Sequence, residues 1–289
     1  MTRAYANRDL IATMDVERDY HRIYQLTVLY DFPKDARLGL NLAFYRIFAI
    51  PRIADLLVES GEMLGRPAKR AYDTGLVMYE LITSGFDDPR GREMVRLLNR
   101  VHRRWPILDE DYRYVLAAFI VVPIRWIDRR GWRRLLPAER EASATFYREL
   151  GRRMRIPDPP RTYAEAEQIL DSYERKYMAP NDSGRRLMAT TQNIIVRKVP
   201  RPLRRIAPSI TSSLLDEPDL SDALGLPQPR RTLSALLRLM YRTRNAVRRL
   251  GSQATDPWFV PGRPVSTVYP RGYQLSEVGP DTSSAEARE

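Results

Sequence analysis

His102 is one of only two histidines in a chain of 289 residues that has no cysteine. Any transition metal bound here would have very few soft or borderline ligands to draw on. Imidazole is the commonest of them in proteins. Val95, Leu98, His102 and Trp105 recur at steps of three and four. On a helix that spacing puts the imidazole on the apolar face. Two readings follow. The ring is a core histidine satisfied by a carbonyl or hydroxyl, or it is a metal ligand.

A second stripe lies upstream. Arg70, Thr74, Val77 and Leu81 share one face of a helix that Pro67 should open and Gly85 should stop. An arginine and a threonine on an apolar stripe need partners, because burying unpaired polar groups is costly. Asp73, Glu62 or Glu80 would make the arrangement structural. A haem propionate or bound oxygen would make it functional. Tyr72, Asp73 and Tyr79 could join either network. His21 stands among Asp15, Glu17 and Asp19, so it is expected to be a solvated, salt-bridging residue. A facial triad would need both histidines and a carboxylate that nothing singles out.

Composition removes several chemistries. Zero cysteines exclude disulfides, thiolate-ligated haem, iron–sulfur clusters and covalent haem attachment through thioethers. A Cys-containing zinc site goes with them. There is no Walker A loop, no dinucleotide-binding Gly-rich fingerprint and no Gly-x-Ser-x-Gly elbow. The net charge is +12, yet only four of the 48 basic residues are lysine, and arginines fall in almost every segment. That distribution looks like a bias toward arginine, not a built nucleic-acid patch. An anionic membrane surface, on which arginine-rich helices can dock, is about as plausible a partner as nucleic acid. The longest apolar run, from Val115 to Ile124, is about half the ~20 residues of a bilayer span. The N-terminus lacks the apolar core of a signal peptide. A cytoplasmic location is the expectation.

The elements that must carry these residues are helical throughout, since no alternating β-branched runs appear. Helices are expected over about 8–30, 36–60 with a break at Pro51, 67–84, 90–105, and from Asp109 or Asp111 into a kink at Pro123. Further helices are expected over 137–154, 163–177 behind the Thr162-x-x-Glu165 capping box, 183–199, 203–215 and 232–250. The fold class is therefore all-α, a single helical domain over 1–280. From about 252 an aromatic C-terminal extension should pack on the body, and 281–289 should be a loose tail.

Several segments together carry a resemblance. They are Lys69-Arg70-Ala71-Tyr72-Asp73-Thr74, Leu98-Asn99-Arg100-Val101-His102, Pro123-Ile124-Arg125-Trp126, Gly151-Arg152-Arg153-Met154 and the 157–160 Asp-Pro-Pro link. Phe44 to Pro51, Pro200 to Arg204, and Tyr269-Pro270-Arg271-Gly272-Tyr273 extend it. In this order and spacing the chain resembles the MpaB-type and rubber oxygenase (latex-clearing protein) family, in its bacterial MpaB-like branch. The likeness covers about 30–280.

The resemblance implies a globin-reminiscent helical bundle enclosing a pocket for non-covalent haem b. It implies His102 as axial iron ligand, with Arg70 and Thr74 near the haem. It implies an oxidoreductase that uses O2 to cleave double bonds of an apolar, isoprenoid-like small molecule. The rubber-cleaving branch carries Lys before that Thr, and this chain has Asp73, so polyisoprene fits poorly as substrate. Asp73 becomes a candidate for proton handling. The alternatives are a helical haem-binding or haem-sensing protein without turnover, or a basic scaffold in which His102 is only packed.

Overall fold

The computed structural model describes residues 4–198, 200–252, 254–264 and 268–280. The expected tail at 281–289 lies outside the described residues. Fourteen α-helices run in chain order among the described residues. They are α1 (Ala6–Ile11), α2 (Val16–Gln25), α3 (Pro33–Phe48), α4 (Pro51–Glu59), α5 (Glu62–Gly65), α6 (Pro67–Ser84) and α7 (Pro89–His102). Then come α8 (Asp109–Arg130), α9 (Pro137–Arg153), α10 (Tyr163–Tyr177), α11 (Asp182–Lys198), α12 (Ala207–Leu215), α13 (Pro218–Ala223) and α14 (Arg231–Leu250). No strand occurs among the described residues, only one isolated bridge between Pro270 and Gly272. The all-α class is as the sequence indicates.

Proline starts many of these helices. It stands in the first turn of α3, α4, α6, α7 and α9. Its fixed φ suits that turn, and its missing N–H would have no intrahelical partner there. Asp88 adds a side-chain cap to α7, accepting from the Arg90 N–H at 2.8 Å. α6 stops where expected, at Gly85 with φ 82°.

The centre of the bundle is α8, packed against α3, α9 and α10. It runs as one helix through Pro123. Gly39 of α3 faces that proline, and a Cβ built on Gly39 would lie 2.5 Å from Pro123 Cα. A bare backbone on α3 therefore allows the close crossing at the point where α8 lacks an N–H. Tyr114, Ala117, Ala118, Ile120 and Val121 form the fully buried side of α8.

Three boundaries differ from the sequence expectation. The expected helix over 8–30 is broken before Asp15, whose carboxylate caps α2 by accepting from Glu17 and Arg18 N–H groups at 2.9 and 3.1 Å. Capping competes with helix continuation for that side chain. The same stretch ends in a π-helical turn, Leu26–Asp31. This wider turn delivers Asp31 to Arg133 at 2.6 Å, in a buried cluster that includes Glu139. The segment expected to begin a helix at 203 opens as a 3₁₀ run, Arg201–Ile206, before α12.

The C-terminal extension lies on the body. Phe259, Tyr269, Tyr273 and Val278 are buried, and Phe259 stacks on Tyr79 of α6 at 5.2 Å between centroids.

Candidate functional site

α6 and α7 pack on each other and carry the three residues of interest. His102 ends α7. Its ring is half-buried, and Nδ1 lies 2.7 Å from the Leu98 carbonyl oxygen one turn back. A carbonyl can only accept, so Nδ1 carries the proton and donates it. The lone pair of the neutral ring is then on Nε2. Among the described residues Nε2 has no hydrogen-bond partner. Burial lowers the His102 pKa below its ordinary value, and the Arg70 charge lowers it further, against the Leu98 bond that raises it. Tyr112 of α8 flanks the imidazole, with ring centroids 6.0 Å apart.

Arg70 is therefore close enough to His102 for its charge to act on the ring. Its guanidinium donates to Thr74 Oγ1, and that hydroxyl donates to the Arg70 carbonyl at 2.8 Å. The pair forms one turn of α6, as the shared-face spacing predicts. Val77 and Leu81 below it are buried. The three carboxylates that could have neutralised Arg70 are bound elsewhere. Glu62 pairs with Arg66 at 3.0 Å, Asp73 with Lys69 at 2.7 Å, and Glu80 with Arg90 at 2.6 Å. Arg70 forms no ion pair among the described residues. Burial pushes its guanidinium pKa down, while Asp73 and Glu62 pull it up from longer range.

Asp73 is buried and faces the C-terminal extension. Its oxygens accept from Lys69 Nζ, from Tyr269 Oη at 2.6 Å and from the Gly279 N–H at 3.0 Å. Tyr273 donates to Glu80 two turns further along α6. Lys69 also donates to the Glu277 and Gly279 carbonyls at 2.9 and 2.8 Å. Aspartate at this position thus ties the extension to α6. The sequence points to both tyrosines packing on the body but not to their carboxylate partners, because the Tyr269–Asp73 contact spans 196 residues. A carbonyl partner is what the structural alternative for His102 expects, but the sequence does not single out Leu98, since a backbone acceptor leaves no mark in residue type.

His21 differs from the expectation of a solvated residue. It is half-buried, and Nε2 donates to the Ile82 carbonyl at 2.9 Å. Its ring stacks on Phe146 at 6.2 Å and lies against Gly85, where an added Cβ would approach Cε1 to 3.1 Å. The acidic neighbours in sequence mislead because Asp15 and Asp19 belong to the capped N-terminus of α2, while His21 points at the end of α6. It is not brought together with His102.

The donor set can be tested for fit. No cluster of three or more His, Cys, Asp or Glu side chains suited to a bare metal ion exists among the described residues. A tetrapyrrole brings four nitrogens of its own and can be held by as little as one protein ligand to its iron. A histidine with Nδ1 tied to a carbonyl and Nε2 unpartnered suits that demand. An arginine with no ion pair of its own among the described residues suits an anionic substituent. The two best-defined cavities lie elsewhere, one under Leu42, Arg46 and Trp126 and one beside Asp216 and Arg238.

Comparison with known proteins gives the family. Residues 38–248 match the family model described as ER-bound oxygenase mpaB/B'/Rubber oxygenase, catalytic domain. The chain is 27% identical over 264 residues to the ER-bound oxygenase mpaB' of Penicillium brevicompactum, covering 85% of this chain and 62% of that protein. It is 26% identical over 232 residues to the ER-bound oxygenase mpaB of Penicillium roqueforti (strain FM164), covering 74% of this chain and 77% of that one. The chain spans 62% of the first relative's length. No helix of the described residues is long and apolar enough to cross a membrane. The match takes in α6, α7 and the helices around them, and the chain belongs to the mpaB/B' and rubber oxygenase catalytic-domain family.

Proposed function

We propose that the chain is a haem b-dependent oxygenase that oxidises an apolar, unsaturated small molecule with O2. The observation that carries this reading is the geometry of His102. Its Nδ1–H is committed to the Leu98 carbonyl, and its Nε2 has no hydrogen-bond partner among the described residues. In this proposal His102 Nε2 holds the iron. Arg70 neutralises a haem carboxylate, which would replace the missing ion pair. Thr74 holds the Arg70 side chain along α6 and offers a hydroxyl to the pocket. Bound haem would supply oxygen binding and oxidation at an alkene, and splitting C=C with O2 places one oxygen on each carbon, giving two carbonyls.

Asp73 takes a positioning part in this account. Its oxygens are occupied by Lys69, Tyr269 and Gly279, so it orders the face of α6 that presents Arg70 and Thr74. The family name supports an oxygenase and includes rubber, an unsaturated hydrocarbon polymer, among its substrates. An isoprenoid-like alkene is proposed on that ground.

The test is turnover of a prenylated phenol in air by haem-loaded protein, with carbonyl products followed by mass spectrometry alongside oxygen uptake. Carbonyl products that disappear in His102→Ala support the proposal. Haem binding without oxygen uptake or product would point to a haem-binding protein without turnover. Failure to bind haem would remove the proposal altogether.

A further inference from the structure

α14 is built inside out. Its 20 residues bury only Ser234 and Asn245. The helix is held to the body by Tyr241, which packs edge-on against Trp126 with centroids 5.4 Å apart, and by polar contacts. Asn245 Nδ2 donates to the Arg130 and Gly131 carbonyls, both at 2.9 Å, and Arg244 pairs with Asp35 at 3.0 Å. The opposite face is apolar and faces solvent. Leu236 and Leu239 are each 61% exposed, Val247 67% and Leu250 89%, with Met240 between them. An amphipathic helix in a soluble bundle normally turns that stripe inward. Here the stripe, from Leu236 to Leu250, extends along about 21 Å of helix.

The charges beside the stripe say what covers it. α14 carries six arginines and no acidic residue. Arg231, Arg238 and Arg242 are exposed along one edge of the apolar arc and form no ion pair among the described residues. A second copy of the chain would bring like-charged edges together, on a protein of net charge +12. The nine residues after Pro280 carry no large apolar side chain that could cover the stripe. An apolar arc bordered by unpaired arginines is complementary to a bilayer surface with anionic headgroups. Among the described residues no helix is long and apolar enough to cross a membrane, and a helix with this pattern lies in the plane of the interface.

We infer that α14 docks the protein peripherally on an anionic lipid surface, with Leu236, Leu239, Met240, Val247 and Leu250 entering the headgroup–acyl boundary. The inference does not depend on the oxygenase proposal. It is tested by sedimentation of the full chain with phosphatidylcholine vesicles, with and without phosphatidylglycerol. Wild type should bind the mixed vesicles and leave the pure phosphatidylcholine ones largely unbound. Leu236→Glu with Val247→Glu, and separately Arg238→Glu with Arg242→Glu, should each weaken binding by about tenfold or more while circular dichroism and melting stay as in wild type. These positions are exposed, so folding should survive. Two results would overturn the inference. One is wild type that ignores anionic vesicles, or a Leu236→Glu, Val247→Glu variant that binds them equally well. The other is a dimer in light scattering that Leu236→Glu dissolves, which would assign the face to a second copy.

Discussion

The Leu98 carbonyl and His102 Nδ1 stand 2.7 Å apart, one turn along the same helix. That single bond selects the tautomer and turns Nε2 away from the backbone. It costs the fold nothing elsewhere, because a carbonyl oxygen has two lone pairs and can serve the helix and the ring together.

Arg70 should prove separable from the fold. Arg70→Ala removes a half-buried cation that forms no ion pair among the described residues. Helical content should be unchanged, while haem affinity falls by roughly tenfold or more, the scale of a lost charge-assisted contact of about 1.5–3 kcal/mol. Thr74→Val, nearly isosteric, should give a smaller loss through misplacement of the Arg70 side chain. Equilibrium haem titration with circular dichroism checks both. Unchanged affinity in both variants would make the pair structural.

His21→Ala should lower stability without touching haem. It deletes the donor to the Ile82 carbonyl and the packing on Phe146. A loss of about 1–3 kcal/mol is expected in urea unfolding, with haem stoichiometry as in wild type. Lost haem in a fully folded variant would contradict the assignment of the two histidines.

The extension should be held by its tyrosines. Tyr269→Phe removes a donor from the buried Asp73 carboxylate, and Tyr273→Phe does the same to Glu80. Each should cost about 1–3 kcal/mol. The double variant should also expose the chain after residue 252 to limited proteolysis before the body is cut. Equal protease resistance would show that apolar packing of Phe259 and Val278 suffices.

Acid should destabilise the fold through its histidines. His21 and His102 both have pKa values lowered by burial from an ordinary 6.5. The unfolded chain therefore binds more protons below about pH 6.5, and stability falls as pH drops through that region. Above it the contribution is fully present. Urea midpoints should decline from about pH 7 to about pH 5, and less steeply in His102→Gln. A flat profile would mean that the rings are not desolvated.

Much of this was readable in residue order. The α6 face of Arg70, Thr74, Val77 and Leu81 follows from spacing, as do the Pro67 start and Gly85 stop. α7 was less clear. The residues most buried along it are Gly91, Met94 and Leu97, while Val95, Leu98 and His102 lie on a half-open flank. Periodicity finds a stripe but not its centre, because the seam is decided by long-range contacts such as Leu97 against Gly279. The partners of the charged residues were beyond reach for the same reason. Nothing local tells which of Glu62, Asp73 and Glu80 will be claimed by another cation.

The most direct test of the central claim is a haemin titration of the purified protein, read in the Soret region, in wild type and His102→Ala. The account gives a saturable red-shifted band at one haem per chain in wild type, and loss of most of that binding in a variant whose circular dichroism is unchanged. Identical titrations for the two proteins, or no saturable binding in wild type, would contradict it.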